Sequence, residues 1–177
     1  MHGKDYLNYY QNRSFNAGKC MIPNPIVRLM MRAKIPMVWG KKFVNLGLEE
    51  KLSIDFADRL RELTLQKRLR CTFVHLPNEG KRSRLVAIIL KAMGMIPGAG
   101  DYALSWKDGS GYIELKIKPN KQTDNQKDFE YWCHYNGVGY LVAYNIEDAM
   151  KIVSSWGLII PPFDDTVNRF GNLYELD

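Results

Sequence analysis

The sequence predicts a mixed α/β domain, a short sheet flanked by helices. Three observations carry that reading. Apolar residues recur at helical spacing between Leu48 and Leu63. Short apolar or alternating runs at Cys71–Leu76, Tyr102–Trp106, Gly111–Ile117 and Gly139–Tyr144 have the length and composition of strands. The two patterns then alternate as helix, strand, helix, two strands, helix, strand, helix, which suits one sheet covered by helices.

Taken in order, residues 1–47 form an arm in which Tyr6, Tyr9, Tyr10, Phe15, Trp39 and Phe43 are mixed with lysines, arginines and prolines. No period is sustained there, and an irregular segment with a short helix over Ile26–Ala33 is expected. Residues 48–156 make the domain proper. Its first helix has Leu52, Phe56, Leu60 and Leu63 on one side, with Glu49 and Glu50 in the first turn, where negative charge suits the helix dipole. A basic exit at Lys67, Arg68 and Arg70 leads to the strand Cys71–Leu76, which Pro77 stops. The next helix, Arg82–Met93, is expected to bury Leu85, Ile88, Ile89 and Ala92, and Gly94 ends it as a C-terminal cap. Thr123 and Gln126 make a capping box for a helix over Asp124–Tyr135, and Asn145 caps a last helix, Ile146–Trp156. The tail, 157–177, has two prolines and no period, and is expected to pack on the domain or on a partner subunit.

The chemistry concentrates between Gly94 and Gln126. A glycine-rich turn delivers Asp101 to the start of an apolar strand, and the turn residues at Lys107–Gly111 fold the chain back into a second strand, a hairpin. Side chains alternate along a strand, so Glu114 and Lys116 project together while Ile113, Leu115 and Ile117 enter an apolar layer. Unpaired buried charge is strongly disfavoured, so a carboxylate and an ammonium inside an apolar strand either pair or serve a site. Asp101 is placed to join them. Two carboxylates and a lysine suit Mg2+ or Mn2+, with the lysine holding or deprotonating a water. That set points to phosphodiester hydrolysis. On spacing alone a solvated hairpin with a surface Glu–Lys pair is the commoner source of such a pattern.

Four stretches in order narrow the choice: HLPNEG at 75–80, LKAMGMIPGAGD at 90–101, IELK at 113–116 and TDNQ at 123–126. Over about residues 48–156 the chain resembles the VRR-NUC family of the PD-(D/E)xK nuclease superfamily. The resemblance implies an α/β, PD-(D/E)xK-like restriction-endonuclease core, here with a basic N-terminal extension, and cleavage of DNA, often branched, with Mg2+ or Mn2+. Carried over by position, Asp101 and Glu114 hold the cation with the Leu115 carbonyl, and Lys116 positions or activates the water. Gln126 sits near the scissile phosphate, and Glu49 is an additional acid from the first helix. Glu49 fits the E-x-x-[IL]-Q pattern through Leu52, although Ser53 stands where the glutamine belongs, and Glu50 is the alternative acid. Gly98-Ala99-Gly100-Asp101 departs from the family's Gly-x-Pro-Asp, which alters the turn. The family also implies a homodimer that presents two sites to two strands. Flaps, ends or a short duplex sequence are alternative substrates, and a non-cutting DNA-binding module is the alternative of another class.

Charge agrees with an anionic partner. The chain has a net charge of +6, but residues 1–47 carry eight basic residues against Asp5 alone, leaving the remainder nearly neutral. Lys81, Arg82 and Arg84 at the first turn of a helix oppose its dipole, and a phosphate bound there would explain them. Lys118 and Lys121, in the loop after the Glu114 strand, are further candidate phosphate contacts. Cys20, Cys71 and Cys133 lack zinc-like spacing and are expected to be reduced thiols. No apolar run approaches the ~18–20 residues that cross a bilayer. The opening MHGKDYLNYY lacks a signal-peptide layout, so a soluble cytoplasmic protein of a bacterium or phage-infected cell is expected.

Overall fold

In the computed structural model, residues 22, 24–31, 38–39, 42–43, 45–77 and 83–162 are described. The sheet grows from a two-residue turn at Lys107–Asp108. Strand β4 (Tyr102–Trp106) returns antiparallel as β5 (Gly109–Leu115), with Tyr102 opposite Ile113 and Trp106 opposite Gly109. On one side β4 pairs antiparallel with the edge strand β3 (Thr72–His75). On the other, β5 pairs parallel with β6 (Gly139–Ala143), giving the order β3-β4-β5-β6. A parallel neighbour needs a crossover. Helix α4 (Asp124–Tyr135) supplies it.

Before the sheet come α1 (Asn24–Met30), the strand pair β1 (Val38–Trp39) and β2 (Lys42–Phe43), and the long helix α2 (Leu48–Leu65). Helix α3 (Arg84–Ala92) lies between β3 and β4, and α5 (Ile146–Ser155) follows β6. One face of the sheet packs on α2 and α5: Phe56, Leu60, Leu104, Ile113, Ala143 and Val153 are fully buried together. The other face is covered by α4, where Phe129 and Cys133 meet Tyr140. The fold is therefore the mixed α/β sheet flanked by helices that the sequence predicts.

Glycine is required where chains come closest. Gly111 and Gly139 face each other across β5 and β6, and a Cβ on either would lie within 3.0 Å of the Trp156 indole. That indole also stacks on Trp106, with centroids 5.6 Å apart. Residues 158–160 then pair with 68–70, so the start of the tail packs on the domain.

Several expectations are corrected. Strand β5 runs Gly109–Leu115, two residues earlier than expected, because only two residues make the turn. Lys116 thus lies just past the strand, where its N–H donates to the Ala143 carbonyl (2.9 Å). The short helix expected over Ile26–Ala33 is present as α1, Asn24–Met30, but the β1–β2 pair in the same part of the chain was not expected. The predicted buried face of α3 is exposed: Leu85, Ile88 and Ile89 are 66%, 55% and 48% accessible, and no residue of the helix is buried. Helical periodicity shows that an apolar stripe exists, not that a neighbour covers it. Lys81, Arg82, Glu79, most of the arm and residues 163–177 lie outside the described residues. Among the described residues no helix is long and apolar enough to cross a membrane.

The contrast between the two helices is measurable. Phe56→Ala should cost about 3–5 kcal/mol of unfolding free energy, as for large-to-small changes in a filled core. Leu85→Ala, measured on protein diluted to monomer, should stay within about 0.5 kcal/mol, as on a surface. Paired denaturant titrations read the difference.

Candidate active site

The hairpin register decides the face on which the acids lie. Tyr102 and Ile113 are opposite each other with their side chains in the α2–α5 core, so one step further along both strands Asp101 and Glu114 project to the other face. The Asp101 carboxylate accepts a hydrogen bond at Oδ2 from the Leu115 N–H (2.8 Å). Its own carbonyl accepts from the Leu76 N–H (2.7 Å), which ties the end of β3 to the start of β4. Asp101 therefore abuts the backbone between Glu114 and Lys116.

Glu114 is 1% exposed. Its Oε1 accepts from Lys116 Nζ (2.7 Å) and from the side-chain amide of Gln126. Its Oε2 lies 3.5 Å from the Tyr140 hydroxyl. The Glu–Lys pair is thus buried, and the solvated-hairpin alternative does not describe it. Lys116 is also buried. Burial disfavours its charged form, but the hydrogen bond and charge of Glu114, followed by the charges of Glu49 and Asp101, outweigh that and raise its pKa above the ordinary value. It is an ammonium at neutral pH, a donor and not a proton acceptor.

Gln126 serves two ends at once. It is the third residue of α4, and its Oε1 accepts from the Thr123 N–H (2.8 Å) while Thr123 Oγ1 accepts from the Gln126 N–H, completing the capping box. The amide nitrogen left over donates to Glu114. The turn before Asp101 approaches this helix end closely: Gly98 has φ +86°, and a Cβ there would fall 2.1 Å from the Asn125 carbonyl oxygen. Only glycine allows both the left-handed backbone and the contact.

Glu49, half-buried in the first turn of α2, accepts from the Asn120 side chain (3.3 Å) and acts electrostatically on Lys116. Glu50 is exposed, and its carboxylate folds back over Gly47. Between the two candidates, Glu49 is the acid turned toward the site. Ser53, in place of the glutamine, hydrogen-bonds the Tyr102 hydroxyl (2.8 Å). Leu115 meets Asp101 through its N–H. Arg84, Lys118 and Lys121 are exposed, and the Lys118 ammonium stands 5.7 Å from the centre of the Tyr144 ring.

The donor set fits a hard divalent cation. Asp101 and Glu114 offer carboxylate oxygens, and among the described residues no cysteine or histidine joins them. Among the described residues no three side chains of His, Cys, Asp or Glu gather into a ready cluster, so a cation here would rely on this pair plus backbone or water oxygens.

No family model and no curated protein matches the sequence. The chain is similar to a solved structure described as a VRR_NUC domain protein: 17% identity, 65% of this chain and 93% of the other covered, TM-score 0.49.

Sequence reasoning missed Tyr140, Gln122 and Asn120. A signal for Tyr140 was present, since a tyrosine inside an apolar strand needs a partner for its hydroxyl.

The raised pKa of Lys116 gives a signed prediction. A cation whose folded pKa is raised contributes stability that is complete below its unfolded value, 10.5, and is lost as pH rises through the folded value. The difference in unfolding free energy between the natural chain and Lys116→Met should shrink as pH rises above 10.5. Denaturant midpoints across that range check it.

Proposed function

We propose that the chain is a divalent-metal-dependent DNA endonuclease that hydrolyses phosphodiester bonds, with branched DNA such as a four-way junction as its substrate. The observation that carries this is the buried Glu114 carboxylate, held by Lys116 and Gln126, with Asp101 anchored one residue away. A buried ion pair is a poor way to stabilise a fold, because desolvation consumes most of the attraction, so its presence favours a site.

Asp101 and Glu114 would hold Mg2+ or Mn2+, with the Leu115 carbonyl and Glu49 as further oxygens. When bound, the cation supplies Lewis acidity to a phosphoryl oxygen and lowers the pKa of a water. Lys116 keeps its proton on Nζ and donates from a fixed place, orienting the attacking water or steadying charge on the phosphate. Gln126 aligns the Glu114 carboxylate and presents its amide at the same rim. Arg84, Lys118 and Lys121, with Lys81, Arg82 and the basic arm, meet phosphates along the duplex. These contacts give affinity without reading sequence, which suits recognition by DNA shape.

Synthetic four-way junction, flap, single-stranded and linear duplex DNA, each with Mg2+, Mn2+ or chelator, test the reading. Cutting should require the metal and favour the junction. Glu114→Ala and Lys116→Ala should each lower the rate at least about 100-fold, the scale for removing one group that stabilises transition-state charge. Both variants should still bind DNA, with affinity that falls steeply as salt rises. Undiminished cutting by both would dismiss the mechanism.

The proposal includes a second copy of the chain, so that two sites reach two strands. The exposed stripe of α3 supports it: Leu85, Ile89 and Met93 form a charge-free centre, and Arg84 and Lys91, seven positions apart, share one flank of the helix. Light scattering should find a dimer, and Ile88→Glu should give a folded monomer.

A further inference from the structure

We propose that Tyr140 is a positioning residue, whose buried hydroxyl fixes the Oε2 oxygen of Glu114 and so sets how the carboxylate faces the site. This rests on the nuclease reading of Glu114 but concerns a residue outside its charged set. Tyr140 is fully buried, on the strand parallel to the one that carries Glu114. Its hydroxyl lies 3.5 Å from Glu114 Oε2 and 3.5 Å from the Gly98 carbonyl oxygen. The Gln122 side chain acts on the same hydroxyl, and its amide nitrogen donates to Glu130 on α4 (2.8 Å).

Those contacts bracket one carboxylate. Lys116 and Gln126 both act on Oε1. The other oxygen, Oε2, takes a contact from the Tyr140 hydroxyl. Tyr140 can make it because its ring is itself clamped, edge-on to Phe129 of α4 with centroids 5.9 Å apart. The hydroxyl therefore stands between Glu114 and the Gly98 turn that leads to Asp101, with one proton to offer to either acceptor, and its ring packs on the helix that carries Gln126.

Tyr140→Phe removes the oxygen and keeps the ring. It should leave the thermal midpoint within a few degrees and the KM for junction DNA unchanged, while kcat falls about tenfold, roughly the loss of one oriented hydrogen bond to a charged group. Terbium luminescence, read on the protein without DNA, should show the ion binding several-fold more weakly. Gln122→Ala, on a half-buried residue, should move kcat and terbium affinity in the same direction by less, and decides the matter if Tyr140→Phe does not fold. Unchanged kcat together with unchanged terbium affinity would overturn the assignment while leaving the nuclease reading intact. If the natural chain binds terbium but cuts no DNA, the nuclease reading falls and the terbium comparison alone judges Tyr140. If it neither binds the ion nor cuts, both fall.

Discussion

The ion pair between Glu114 and Lys116 is the constraint around which the fold is arranged. A carboxylate that is 1% exposed would be strongly disfavoured if it stood alone, and the protein surrounds it with donors from separate parts of the chain. Lys116 comes from two residues further on. Gln126 arrives because α4, the crossover between parallel strands, begins at the end of β5. Tyr140 arrives because the strand after that crossover lies beside β5. The topology and the satisfaction of one buried charge are the same requirement.

The second acid is bound into this arrangement by backbone. Asp101 accepts from the Leu115 N–H, so its carboxylate is fixed to the very segment that carries Glu114 and Lys116. Gly98 lets the preceding turn press against the start of α4. The candidate site is thus assembled where two strand ends, one turn and one helix end meet.

Much of this was legible in the sequence, for physical reasons. A strand has a period of two, so Glu-x-Lys must share a face, and a glycine-rich turn before an acid must bring that acid to a strand end. The capping box at Thr123 gave the start of α4 and hence the place of Gln126. Other features depend on tertiary distance and leave no local mark. Glu49 and Glu50 both suit the first turn of α2, and only the packing turns one inward. The apolar stripe of α3 reads the same whether a sheet or solvent lies against it. Strand β5 starts two residues early because a turn can close over two residues or over five, and the glycines between 107 and 111 permit either. Tyr140 was hidden by its setting, since one hydroxyl in an apolar strand looks like packing until the neighbouring strand is known to carry a carboxylate.

The paired glycines at 111 and 139 leave a slot across two strands, and the Trp156 indole fills it while lying 5.6 Å from Trp106 at an interplanar angle of 26°. Two indoles so close and so nearly parallel couple to each other in the near ultraviolet. They grip the early part of β5, whose other end carries Glu114. The protein thus contains its own optical gauge of strand register, readable far from the chemistry and without any label.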